Sequence, residues 1–321
     1  MIDPVLEALS TLRTARDRRH WSALTRHRAP HKPFLLLSII DLVARGGLTR
    51  PFVEPSFELA ETFNGYWPLV MPPARRGLPS YPFYHLRSEP FWQLVPNPGH
   101  TDAPGRTFGS MARIREVYAG AGIEDALFAA FADPVRRELA RRLLVETYFH
   151  ESVRQSVYDQ AVVHLLGYAY ASELTAGVRE SPGTAFEAED EVASRVRGQG
   201  FRRAIVQIYD HRCALCGIRM LTPDGHTVVE AAHIKPWSVS FDDRPTNGLC
   251  LCRLCHWSYD EGLMAVGRNY QVLVSGSVRR DRNYPGHVLS LAEREMIRPA
   301  KPVHCPDQDN LGWHRKKVFR R

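Results

Sequence analysis

Cys213-Ala214-Leu215-Cys216 and Cys252-Arg253-Leu254-Cys255, with Val228-Val229-Glu230-Ala231-Ala232-His233-Ile234-Lys235-Pro236-Trp237 between them, decide how the second half of this 321-residue chain is read. The two C-x2-C pairs stand 35 residues apart. A two-residue spacing turns both thiolates of a pair onto one ion at about 2.3 Å, and two pairs complete a tetrahedron with no open position. That is a structural zinc site, not a catalytic one. All six cysteines lie beyond residue 212, and five of them fall between Cys213 and Cys255. In a reducing compartment such clustering points to metal and away from disulfides. Cys250 is the rival ligand and is assigned to packing; Cys305 is left over.

Around the second pair runs Asn247-Gly248-Leu249-Cys250-Leu251-Cys252 and then His256, ending at Tyr259-Asp260-Glu261-Gly262. With Ala231-Ala232-His233-Ile234, these residues resemble the HNH endonuclease family over roughly residues 201–274. His233, Asn247 and His256 occur in the family's order and spacing, interleaved with the cysteine pairs. The resemblance implies a β-hairpin carrying His233 packed on a helix carrying His256 and Asp260, an i, i+4 pair on one helical face. That pair is expected to hold one catalytic divalent ion, Mg²⁺ or Mn²⁺. His233 is expected to take a proton from the attacking water. Asn247 is expected to hold the His233 ring through its amide. The implied products are a 5′-phosphate and a 3′-hydroxyl. One departure stands out: Ala232 occupies the place where many members carry a further metal ligand. Glu230, two residues earlier and on the same strand face by alternation, is the substitute expected here. Arg202, Arg203, Arg212, Lys235, Arg244 and Arg253 are candidates for gripping the DNA backbone.

Charge supports a nucleic-acid partner. Residues 1–150 carry 19 Lys/Arg against 15 Asp/Glu, residues 151–200 carry 4 against 8, and residues 201–321 carry 19 against 12. Two basic blocks thus flank an acidic connector, and a basic face attracts phosphate. Residues 5–45 read as helical from the spacing of Leu6, Leu9, Leu12, Leu35, Leu36, Ile39, Ile40 and Val43, with Gly46-Gly47 as the stop. Prolines between Tyr66 and Pro98 exclude a long helix and predict short edge strands and shaped loops. Helix returns from Ile123 to Tyr148, restarting at Asp133-Pro134, and continues through 151–172. Thr175 to Glu191, rich in small and acidic residues, reads as a linker, and a helix over Val192–Tyr209 leads into the cysteines.

The first block resembles the sulfur-binding domain over about residues 5–160. The resemblance rests on Ala29-Pro30-His31-Lys32-Pro33-Phe34, on Tyr81-Pro82-Phe83-Tyr84-His85-Leu86, on Phe91-Trp92 and on Leu143 to Phe149. In that family the domain is fused to HNH in enzymes that attack phosphorothioate-modified DNA. Burying a phosphate oxygen against carbon forfeits hydration worth on the order of several kcal/mol; sulfur, larger and a weaker acceptor, loses much less. An apolar dimple therefore separates sulfur from oxygen. Tyr81 and Pro82 are its expected wall, with Pro30, His85 and Pro98 beside them. His31 and Lys32 match the family's basic pair, with Arg106 as a further cation. Lys32 stands where arginine would grip phosphate with two donors.

The expected fold is α+β: a helix-rich reading domain with short strands over 1–160, a helix and acidic linker over 161–200, and a ββα-metal nuclease domain with a four-cysteine zinc site over 201–321. The expected activity is modification-dependent cleavage of phosphorothioated double-stranded DNA. Two other readings remain open. One is an HNH enzyme recognising methylated or hydroxymethylated cytosine, which usually calls for a base-flipping cage of aromatics; Tyr66, Trp67, Tyr81, Phe83, Tyr84 and Trp92 could be mistaken for one. The other is a zinc-stabilised DNA binder that never cuts. No apolar run reaches membrane-spanning length and no secretory signal is read at Met1-Ile2-Asp3-Pro4, so a cytoplasmic protein without a membrane partner is expected. A homodimer on DNA is expected because one HNH site cuts one strand.

Overall fold

The computed structural model describes residues 4–101, 107–177, 191–280 and 286–320. The chain divides into two compact units, one of residues 1–165 and 222–226, the other of residues 166–221 and 227–321. The division falls within a helix. The core of the expected linker, 178–190, lies outside the described residues, as does Arg106.

In the first unit a short helix, α1 (Pro4–Glu7), precedes α2 (His31–Ala44), which is buried at every position from Lys32 to Val43. A helix apolar all round belongs inside a core. Phe34, Leu35, Leu37, Ile39 and Ile40 are fully excluded from solvent. Between these helices only two short 3-10 turns form, Ala8–Ser10 and Ala23–Thr25, in place of the continuous helix expected over residues 5–45. Arg16 and Arg28 form an antiparallel bridge, and Arg26 and His27 both take left-handed backbone conformations at the turn. Leu9 and Leu12, which follow α1, still reach the core, but the residues from there to α2 have no helical run of apolar positions.

Next come β1 (Phe52–Val53) and α3 (Phe57–Tyr66), whose first turn is capped by Ser56 Oγ accepting from the Leu59 amide at 3.1 Å. α4 (Ser80–His85) follows. Here the proline reading is corrected. Tyr81-Pro82-Phe83-Tyr84 lies within a short helix, not in a strand or loop. Pro82 is tolerated because amides in the first turn have no intrahelical partner to lose. β2 (Trp92–Pro96) is an edge strand as expected, with α5 (Met111–Val117) and β3 (Tyr118–Ile123) completing an antiparallel sheet of order β1-β3-β2. α6 (Asp125–Ala132) and α7 (Pro134–Tyr148) restart at Asp133, whose side chain caps the Arg136 amide at 2.8 Å.

α8 (Glu151–Ala176) carries the division between units, and α9 (Glu191–Ile208) opens the second core. A minimal hairpin, β4 (Leu221–Thr222) and β5 (His226–Thr227), precedes β6 (Val229–His233). After α10 (Trp237–Ser240), β7 (Gly248–Cys252) pairs antiparallel with β6 in the register His233↔Gly248, Ala231↔Cys250 and Val229↔Cys252. α11 (Arg253–Asp260) starts directly off β7. The remainder is a hairpin, β8 (Met264–Val266) and β9 (Val272–Val274), then α12 (Gly276–Arg280), α13 (Gly286–Leu289) and α14 (Gln308–Lys317). No helix is long and apolar enough, among the described residues, to cross a membrane.

Candidate functional site

The β6–β7 hairpin and α11 bring four sulfurs together. The Sγ atoms of Cys213, Cys216, Cys252 and Cys255 lie within 4.8 Å of one another, with Cys216 and Cys252 3.7 Å apart. Four thiolates about 2.3 Å from one zinc sit about 3.8 Å apart along the tetrahedron's edges. The donor set therefore fits zinc. Four thiolates cannot coexist at this spacing without a cation among them. Backbone bonds hold the knuckle to the hairpin, the Ala214 amide donating to Cys250 O at 2.7 Å. Cys250 faces the core and stands apart from the cluster.

His233, at the end of β6, is positioned from several sides. Its Nε2 meets Asp243 Oδ1 at 2.7 Å, and the Phe201 ring of α9 stacks on it at 3.8 Å with an interplanar angle of 8°. Gly248, its partner across the ladder, makes this possible: a Cβ there would collide with Ile205 and press on Phe201. Asp243 is buried, yet its carboxyl is held below its ordinary value. Burial opposes this, but the hydrogen bond to His233, the Arg197 charge and the Tyr170 hydroxyl outweigh it. Sequence reasoning missed Asp243; the only signal was its place in an acidic pair between the two motif segments.

Among the described residues, Asn247 makes no side-chain hydrogen bond to the His233 ring. It is wholly buried, and its amide holds the intervening loop: Oδ1 accepts from the Lys235 amide, and Nδ2 donates to Lys235 O and Asp242 O at 3.0 and 2.9 Å. Its effect on His233 is therefore indirect, through the loop that delivers Asp243.

His256 and Asp260 share one face of α11, Nε2 to Oδ2 at 3.5 Å. Glu230 approaches the other ring nitrogen, Oε2 to Nδ1 at 3.4 Å, and also Arg253. The unbroken β6–β7 register keeps Glu230 on the strand face of Ala232, with Ala232 buried and Glu230 half-exposed. Among the described residues only the four cysteines converge as three or more ligands on one point. Glu230 therefore does not complete a three-residue set with His256 and Asp260. Two ligands at right angles about 2.1 Å from a hard cation lie about 3 Å apart, close to the imidazole–carboxylate separation seen here. Burial raises the Asp260 carboxyl, with His256 working against it.

In the first unit a cavity of about 360 Å³ is walled by His31, Lys32, Tyr81, Pro82 and His85, joined by Arg13 and Arg87 among others. Pro30 is buried at the start of α2 and Pro98 is exposed in the turn after β2; neither lines it. His31 is boxed by the rings of Trp21, Trp67 and Tyr81 at 5.3, 4.8 and 5.3 Å, its Nδ1 buried without a hydrogen-bond partner. Lys32 is not a free cation. Its Nζ donates to Ser88 Oγ at 2.7 Å and to the buried Glu89 carboxylate, and burial keeps the ammonium below its ordinary value despite Glu89. The six aromatics that could be mistaken for a base-flipping cage do not make one. Tyr66, Trp67, Phe83, Tyr84 and Trp92 are all core residues, and only Tyr81, 43% exposed, is offered to a ligand.

Burial, followed by the charges of Arg75 and His85, pushes His31 down to about 3. The unfolded chain takes up a proton near 6.5 that the folded chain refuses until about 3, so stability rises with pH across that window. The His31 contribution is complete above about 6.5 and is lost as pH falls toward 3. Thermal melts of the first-unit transition should fall over this range, and the fall should shrink in His31→Gln. Identical pH profiles for the two proteins would contradict the burial argument.

Comparison with known proteins agrees with this anatomy. The family model of the ScoMcrA-like DNA sulfur-binding domain matches residues 2–164, and that of the HNH endonuclease matches residues 213–267. A search of curated proteins finds no match. Among solved structures, a modification dependent TagI restriction endonuclease is similar at a TM-score of 0.30 and 25% identity, over 41% of this chain and 44% of that one. The chain thus spans less than half the length of that relative. The match over residues 2–164 takes in half of the sequence, and the chain belongs to the ScoMcrA-like DNA sulfur-binding domain family, with an HNH segment following that domain.

Proposed function

We propose that this protein binds phosphorothioated duplex DNA through the cavity beside α4 and hydrolyses a nearby phosphodiester at the β6–β7–α11 site. The observation that carries the reading is the cavity itself, where a half-exposed tyrosine ring and a proline face a histidine that burial keeps neutral. Arg13 and Arg87 on the same wall can meet the charge of the phosphate, while the Tyr81 and Pro82 face costs a hydrated oxygen its water and costs a polarisable sulfur much less. A second cavity of about 440 Å³ is lined by Arg16, Arg18, Arg26 and Arg28, with Asp17, His27 and Thr147 also on its wall. None of the four has a carboxylate partner among the described residues, which suits flanking phosphates.

At the second site His256 and Asp260 would hold the divalent ion, Mg²⁺ or Mn²⁺, while the four cysteines hold zinc. When bound, that ion neutralises charge on the scissile phosphate and the leaving 3′ oxygen. His233 Nδ1, which has no hydrogen-bond partner among the described residues, accepts the proton of the attacking water. The products are a 5′-phosphate and a 3′-hydroxyl. With one such site per chain, a double-strand break calls for two chains on the duplex.

The test uses the full chain and two duplexes differing by one phosphorothioate. Tighter binding to the sulfur duplex by about 100-fold is expected, because burying the oxygen forfeits hydration that sulfur loses to a much smaller extent. That preference should collapse in Tyr81→Ala and Pro82→Ala. Replacing Arg16 and Arg28 should weaken both duplexes alike and flatten the salt dependence by about one unit per lost phosphate contact. Equal affinity for the two duplexes would remove sulfur from the reading; absence of cutting in Mg²⁺ and Mn²⁺ would remove the nuclease.

A further inference from the structure

We propose that Asp243 is the positioning residue of the general base, and that the base assembly reaches out of the hairpin-and-helix module into α8 and α9. The inference rests on His233 being the base. Asp243 is 5% exposed, and all its contacts ask it to accept. Oδ1 faces His233 Nε2 at 2.7 Å, Oδ2 accepts from Tyr170 Oη at 2.8 Å, and Arg197 Nη1 lies 3.2 and 3.3 Å from the two oxygens. An ionised carboxylate so surrounded only accepts, so Nε2 must carry the ring proton. The lone pair is then fixed on Nδ1, the nitrogen left for water.

The step balances on these atoms. One O–H bond of water breaks and its proton goes to Nδ1. The water oxygen bonds to phosphorus as the bond from phosphorus to the 3′ oxygen breaks, its electron pair leaving with that oxygen. The resulting imidazolium rests against the Asp243 carboxylate, which stabilises it without taking its proton. Arg197 is itself held flat, its guanidinium 4.1 Å from the Trp237 ring. Tyr170, Arg197 and Phe201 all precede residue 213, where the HNH match begins. The bland alternative is that Asp243 only neutralises Arg197.

Asp243→Asn in the full chain separates the two. An asparagine that donates toward Nε2 forces the proton onto Nδ1 and removes the base without emptying the site. Turnover at saturating duplex is expected to fall about 100-fold or more, with KM and zinc content unchanged. The ¹⁵N signals of His233, assigned by their loss in His233→Gln, should switch from the Nε2–H to the Nδ1–H form. Asp243→Glu should restore part of the rate. Turnover within threefold of the unmutated chain, or an unchanged His233 tautomer, overturns the proposal. Should Asp243→Asn not fold, Tyr170→Phe decides: a severalfold lower kcat at fixed KM supports it, and full activity with an unshifted ring overturns it. If the unmutated chain cuts nothing, the nuclease reading fails, and the tautomer switch still tests the pairing by itself.

Discussion

His233→Ala is expected to lower strand cleavage by about 10³–10⁴-fold while leaving affinity for the duplex within about twofold. The size follows from the ring's surroundings. General-base transfer contributes about 10²–10⁴, and the upper end applies where the base is held in one orientation. Here it is clamped by Asp243 on its edge and Phe201 on its face. The specificity of the effect follows from what remains after truncation. Asp243 keeps Tyr170 and Arg197, so no buried carboxylate is left without a partner. The penalty of an orphaned buried charge, about 3–5 kcal/mol, is therefore not incurred, and the fold should survive. The loss then appears in kcat and not in melting temperature. Single-turnover nicking of a labelled duplex, with thermal melts of the same samples, measures both. Cleavage within tenfold of the unmutated chain would place the base elsewhere.

What the sequence disclosed here was whatever is encoded locally. The two C-x2-C pairs and the i, i+4 pair of His256 and Asp260 fix ligand geometry through spacing alone, and the four sulfurs and the α11 face follow from it. Tyr81, Pro82 and His85 meet His31 and Lys32 at one cavity, which motif resemblance could suggest although about 50 residues separate them. What stayed hidden depends on partners far along the chain or on loop geometry. Lys32 reads as a phosphate grip because Glu89, 57 residues on, gives no local sign of neutralising it. Asp243 stands two residues after Phe241, whose backbone is left-handed, and reaches His233 ten residues back; two adjacent aspartates beside an arginine otherwise read as solvated surface. Asn247 has the right spacing but a different contact from the one expected, since an amide that ties down a loop and one that touches a ring leave the same letter. The prolines around α4 mislead for a physical reason: proline breaks a helix in its interior, and Pro82 stands in the first turn.

Removing zinc is expected to abolish cleavage and to melt the second unit while the sulfur-binding unit keeps its own transition. Apparent binding energies of structural zinc run to about 10–16 kcal/mol in small modules, larger than the ~5–15 kcal/mol of stability of a whole domain. The cysteines also tie together the parts that carry chemistry. Cys213 and Cys216 hold the knuckle against β7, Cys252 ends that strand, and Cys255 is the immediate neighbour of His256 on α11. Without the ion, the four sulfurs lose the bonds that join knuckle, strand and helix, and any that stay ionised repel one another, so α11 is released from the hairpin. His256 and Asp260 would leave with it. Cys255→Ala and Cys213→Ala should therefore behave alike, although one adjoins the proposed catalytic ligand and the other lies more than 40 positions away in sequence. A strong chelator should reproduce the effect on the unmutated chain. Adding back Mg²⁺ or Mn²⁺ alone should not restore cutting, because hard oxygen-seeking ions are poor ligands for thiolate; Zn²⁺ followed by Mg²⁺ or Mn²⁺ should. Metal content near one zinc per chain, two melting transitions with zinc and one without, and that order of rescue are the outcomes expected. Recovery with Mg²⁺ alone would show that the cysteine cluster is dispensable and that the hairpin and α11 hold each other without it.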